Sequence, residues 1–204
     1  MKPIIGILLL LVAACASTSI EQQWKAPQAT QLHRVATVMH SRDVTIRRTA
    51  EDDMAQQLRE RGVDAVPGYQ ILSDQDYRDR EAAKAKLRTA GFDGVIVMRL
   101  ASKDTRLQYV PGDFGAYGYW GAGWGAWGPG YYEPETIVRI ETAAYSLQNN
   151  RLVYSALSRT IDPNSVRSLV SDVSKKVANA MQKQGVVVAS SNQLAPTPGL
   201  APIS

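Results

Sequence analysis

The 204-residue chain has one cysteine and two histidines. A single thiol excludes an internal disulfide, and so few imidazoles leave little material for a nitrogen–sulfur metal site. His33 and His40 belong to no HExxH-type pattern. Seven residues apart around one strand, they fall on opposite faces of it and read as surface or strand-end histidines. GxxxxGK[ST] and GxSxG are both missing, so neither a phosphate loop nor a nucleophile elbow is supported. Lys and Arg are interspersed with Asp and Glu for a net charge of +4. No basic tract forms, and nothing favours a nucleic-acid partner. Asp52 and Asp53, in the acidic triplet that begins at Glu51, read as the solvated face of a helix, and the triplet suits the helix dipole in outline. The residues name no catalytic group, metal or cofactor, and the chain is expected not to be an enzyme.

Ile4–Ala14 is an apolar run of eleven residues behind Lys2. A permanent span needs about 20 apolar residues, so the run fits the hydrophobic region of a secretory signal. It ends in Val12-Ala13-Ala14-Cys15, which resembles a lipobox. The resemblance implies cleavage before Cys15, acylation of its sulfur and amine, and membrane attachment through two or more chains. Ala16 and Ser17 follow, and neither is the Asp associated with inner-membrane retention. The expected location is therefore the outer membrane, facing the periplasm. The domain plan is a signal over 1–14, a lipidated tether over 15–33, an α/β domain over 34–189 and a disordered Pro-rich tail over 190–204. The tether is polar and contains Pro27, with Trp24 a candidate to dock on the domain.

Between the ends, Arg34–His40 is β-branched and reads as a strand. Ile46, Ala50, Met54 and Leu58, with Ala55 beside them, make one helical face, capped by Asp43 or Thr45 and ended by Gly62. Asp64–Leu72 reads as a second strand, with Pro67 assigning part of it to an edge or bulge. A second helix, led in by Asp76 and Tyr77, carries Ala83, Leu87 and Ala90 on one side and ends at Gly91. Gly94–Leu100 is a continuous apolar run and reads as a buried central strand. Two long strands then follow, joined by a hairpin turn at Asn149-Asn150. A last helix carries the stripe Val166, Leu169, Val170, Val173, Val177 and Met181. Asp162-Pro163 or Ser165 starts it and Gly185 stops it. The segment VVVAS adds a short edge strand. The expected fold is mixed α/β: β-α-β-α-β, then an antiparallel hairpin and a C-terminal helix, in one mixed sheet packed against three helices.

The stretches RRTAEDDMAQQLRERGVDAVPGY, AGFDGVIVMRL and ETAAYSLQNNRLVYSALSRTIDP, with a Gly/Tyr/Trp loop before the last, resemble a group of uncharacterised proteobacterial envelope lipoproteins. More loosely, they resemble the α/β domain of the curli-secretion lipoprotein, the amino-terminal domain of the Tol-Pal translocation protein and the lipoprotein activators of penicillin-binding proteins. The resemblance spans about Arg34 to Gly185. It implies an adaptor, secretion component or activator rather than a catalyst, and it carries over no catalytic residue.

The loop over 111–133 is the chain's least ordinary segment. Its core, GAYGYWGAGWGAWGPGYY, has seven glycines, seven aromatics and no charge. Tyr117, Tyr119, Trp120, Trp124, Trp127, Tyr131 and Tyr132 are the candidate binding residues. Each aromatic buries about 150–250 Å² when covered, so seven in water are unfavourable. Three uses are open: covering the sheet, contacting an envelope protein or another copy of the chain, or touching lipid headgroups or peptidoglycan sugars. The expected function is a lipid-anchored, non-catalytic binding or assembly module. The alternatives are a peptidoglycan- or glycan-binding lipoprotein and a hydrolase with an unrecognised site.

Overall fold

The computed structural model describes residues 17–110 and 131–190. Its elements in chain order are β1 (Ser17–Lys25), β2 (Arg34–His40), α1 (Val44–Arg59), β3 (Asp64–Pro67), α2 (Arg80–Thr89), β4 (Gly94–Val110), β5 (Tyr131–Ser146), β6 (Arg151–Ile161) and α3 (Val166–Lys183). The strands form one sheet in the order β1-β6-β5-β4-β2-β3. β2 is parallel to β3 and β4, and the remaining pairs are antiparallel. This is the expected mixed α/β sheet with three helices, one of them C-terminal.

α1 and α3 cover one sheet face. Met54, Leu58, Val173, Val177 and Met181 join Val35, Ile96, Ala144 and Tyr154 in the main core. Each Val, Leu, Ile or Met among them contributes about 1.5–3 kcal/mol when removed from water. α2 lies on the other face, where Leu87 packs with Ala36, Phe92, Val95 and Leu147 in a smaller cluster. The helix ends follow from side chains at the caps. Asp43 accepts the Thr45 and Ile46 amides, and Ser165 and Ser168 form a reciprocal capping box on α3. Gly62, Gly91 and Gly185 leave the three helices at φ +80°, +80° and +66°. Cβ-bearing residues seldom adopt that conformation. Asn150 takes φ +56° in the β5–β6 turn.

Four expectations change. The segment read as a tether contains β1, an edge strand paired to β6 from Ser17↔Ile161 to Lys25↔Tyr154. Backbone pairing with an open edge, rather than an apolar pattern of its own, makes it a strand. Leu32, also placed in the tether, is fully buried in the main core, while Trp24 stays 49% exposed on β1. β3 stops at Pro67, where the missing amide ends the ladder and the chain turns into a short 3₁₀ segment, Gly68–Gln70. α2 begins at Arg80, with Asp79 as its cap, because Asp76–Arg78 forms a separate 3₁₀ turn. VVVAS adds a single parallel bridge, Leu32↔Val187, instead of a strand. Val186 and Val187 are nonetheless buried. The segments 1–16 and 191–204, holding the expected signal, Cys15 and nearly all of the expected tail, lie outside the described residues.

Candidate functional site: an uncovered β-arm

β4 and β5 are much longer than their neighbours. β2 pairs with β4 only as far as His40↔Arg99. β6 pairs with β5 only as far as Ile161↔Ile137, opposite Asp104. Beyond that row β4 and β5 form a ladder only with each other, over six residues a side, Thr105–Val110 against Thr136–Tyr131, with Thr136 still held through its amide and carbonyl by Asp162. At about 3.3 Å per residue, the ribbon is about 20 Å long.

Register sorts its side chains, because cross-strand partners share a face. Leu107↔Pro134 and Tyr109↔Tyr132 lie on one side, and Arg106↔Glu135 and Gln108↔Glu133 on the other. The arm therefore has an apolar face and a polar face. On the apolar face Leu107 is 72% exposed, Tyr109 53% and Tyr132 67%. The two tyrosine rings meet edge-on with centroids 5.4 Å apart. Toward the base the same face carries Thr105↔Thr136 and Lys103↔Val138, and Leu100, Val138, Ile140 and Val166 line a groove there of about 730 Å³ together with Lys103 and Thr136.

Charges stitch the arm's base to β1. Arg139 on β5 donates from Nε to Glu21 Oε2 at 2.8 Å and from Nη1 to Asp104 Oδ2 at 3.0 Å. The Arg139 hydrogen bond holds the Glu21 carboxyl below its ordinary range. One guanidinium thus ties β1, β5 and β4 together where the arm leaves the sheet.

Of the candidate binding residues, Tyr132 is on the apolar face of the arm, and Tyr131 pairs with Val110 as the first residue of β5. Tyr117, Tyr119, Trp120, Trp124 and Trp127 lie outside the described residues, as does Cys15. Sequence reasoning missed Leu107 and Tyr109, although their alternation with Arg106 and Gln108 was the available signal.

No family model matches the chain, and no curated protein matches it. Solved structures do. PelC from Paraburkholderia phytofirmans, described as a dodecamer, is 16% identical, with 82% of this chain and 98% of that chain covered and a TM-score of 0.49. Lipoprotein GNA1162 from Neisseria meningitidis is 16% identical over 74% of this chain and 98% of that one, with a TM-score of 0.40. A minor lipoprotein from Acinetobacter baumannii is 10% identical over 74% and 94%, with a TM-score of 0.30. Two of the three are lipoproteins by name.

A second cluster sits where β2 ends, around Met39. Glu51 is fully buried. Its oxygens accept the amides of Met39 at 3.0 Å and Tyr69 at 2.8 Å. The Tyr77 hydroxyl donates to both oxygens, at 2.9 and 2.8 Å. Burial pushes the Glu51 carboxyl upward, opposed by these hydrogen bonds and by Arg47. Burial and the Glu51 charge push the Tyr77 hydroxyl far upward. Arg47 lies over the Tyr77 ring at 4.4 Å and pairs with Asp74 at 2.6 Å. The triplet is thus not a uniformly solvated face, and Glu51 sits too far inside α1 to act on its dipole. Glu51 instead ties the β3–α2 connection to α1 and β2. Asp53 is also partly buried, and desolvation raises its pKa. Beside Tyr77 a cleft of about 390 Å³ has a floor of Val38, Val95, Val97 and Leu87 and a rim that includes Arg78 and Arg80. His33 lies just before β2, with Nδ1 3.5 Å from Asp93, and His40 ends that strand in an exposed position. Among the described residues no group of three His, Cys, Asp or Glu side chains could hold a metal. Nor is any described helix long and apolar enough to cross a membrane.

Proposed function

We propose that the chain is a periplasm-facing lipoprotein of the outer membrane, anchored through Cys15, and acts as a non-catalytic binding or assembly module whose contact surface is the β4–β5 arm. The observation that carries this reading is the arm's uncovered apolar face. A folded domain does not extend two strands past all their neighbours with Leu107, Tyr109 and Tyr132 in water for the sake of its own stability. In sequence, the charge-free Gly/aromatic stretch lies between those two strands.

Two measurements test the two parts. Wild-type protein should incorporate labelled lipid and mature, whereas Cys15→Ala should remain unlabelled and unprocessed. Normal maturation of Cys15→Ala would end the anchoring claim. A photo-crosslinking residue at position 107 should form adducts in living cells that the same residue at Gln148, in the turn beyond Ser146, does not. Equal yields would remove the arm as the contact surface.

A further inference from the structure

The strand order fixes which way the arm points relative to the anchor. Ser17 on β1 is in register with Ile161, Ile161 with Ile137, and Ile137 with Asp104. These four residues form one row at one end of the sheet. β1 begins in that row, two residues after Cys15 in sequence, and β4 and β5 run out of the row as the arm. Anchor and arm therefore leave from the same end, and Arg139 braces them through Glu21 and Asp104. Only two peptide steps separate Cys15 from Ser17, a span of at most about 7 Å. The arm reaches about 20 Å beyond the same row. Twist of about 20–25° per neighbouring strand turns the arm away from the axis of β1. Roughly half of its reach, about 10 Å, still points to the anchor's side, which exceeds the leash. A lipid on Cys15 therefore brings the arm to the bilayer surface.

We infer that the apolar face of the β4–β5 arm, Leu107, Tyr109, Pro134 and Tyr132, rests in the headgroup region of the lipid leaflet that holds Cys15. The inference relies on the Cys15 anchorage proposed above and names the partner of the arm as lipid. Three features match that chemistry. The arm is amphipathic, with Arg106, Gln108, Glu133 and Glu135 on the face turned to water. Tyrosine, apolar in its ring and polar at its tip, is the side chain enriched at membrane–water interfaces. The outer edges of a two-stranded ribbon retain unpaired amides and carbonyls, which the hydrocarbon core does not tolerate. That requirement sets the depth at the hydrated headgroup layer. Opposite charges mix on the polar face, so attraction to anionic lipid is not the driving term.

The test uses the full chain purified from cells, so that Cys15 is processed and its thiol is blocked. In Leu107→Cys and Gln148→Cys variants the added thiol is then the one available to a fluorescent label. Each variant is placed in phosphatidylcholine vesicles containing lipid spin-labelled near the glycerol. The label at position 107 should be quenched severalfold more than the label at 148, with little change when phosphatidylglycerol replaces part of the phosphatidylcholine. Mass spectrometry of the same samples reports the lipid on Cys15. Equal, weak quenching at both positions in a lipidated chain overturns this inference and leaves the anchor standing. A chain without lipid on Cys15 overturns the anchor and this inference with it.

Discussion

β4 and β5 each have two halves that differ more from one another than the two strands do. In the inner half Val95 is 8% exposed, Ile96 0% and Met98 2%, whereas in the outer half Leu107 is 72% exposed and Tyr109 53%. The backbone pairing is the same throughout, a single antiparallel ladder with one shift between Leu100 and Ser102. What changes is the company. The inner half has β2 on one side, β6 on the other and helices on both faces, whereas the outer half has only its partner strand. An apolar residue in a strand thus has two distinct uses, filling a core or meeting something beyond the domain, and only its neighbours tell which.

Substitutions at both ends of the ladder test this contrast. The largest effect is expected at Ile96→Ala, which should lower unfolding free energy in urea by about 2–5 kcal/mol because it leaves a cavity between packed layers. A smaller effect with a distinct signature belongs to Glu51, which secures the end of β2 beside that core. Burial raises its folded-state pKa above the ordinary value of 4.5. The stability it contributes is therefore complete below about pH 4.5 and is lost as pH rises through the folded-state pKa. Glu51→Gln should destabilise the protein and flatten part of that fall, with Asp53, raised in the same direction, supplying the remainder. Urea titrations across the acidic and neutral range would read this slope. Ser165→Ala removes the capping box of α3 and should cost about 1 kcal/mol by the same assay. At the far end of the ladder Leu107→Ala should change stability by less than about 0.5 kcal/mol. A loss there comparable to that at Ile96 would mean that the arm is packed in solution.

Much of this arrangement was legible in the sequence. The helical phase of Met54 and Leu58 and the continuous run through Ile96 correctly gave the sheet and its three helices, and the structure chose Asp43 over Thr45 and Ser165 over Asp162-Pro163 as caps. Glu51 was legible too, since it lies three residues before Met54 and four before Ala55 on the inward side of α1. Its membership of an acidic triplet concealed that phase. β1 was not legible, because Ser-Thr-Ser-Ile-Glu-Gln-Gln-Trp-Lys has no run of core side chains. Its pairing depends on an edge that the rest of the chain builds. The close packing of Gly68 was not legible either, since a Cβ there would lie 2.9 Å from the Thr37 carbonyl oxygen. The arm's place at the end of a hairpin was legible. Its direction relative to the start of β1 was not, because that follows from a strand order running through β1.

β1 also sets an order of events in time. Thr18 bonds to Thr160 at 2.9 Å, 142 positions later. β1, the first strand made, therefore has to wait for β6, the last strand made. Contacts so distant along the chain slow folding more than they weaken the finished fold. While β1 waits, the outer edge of β6 is open to any other extended chain nearby. The interval between hairpin closure and the arrival of β1 is thus the period in which a newly made molecule is most exposed to pairing with the wrong strand.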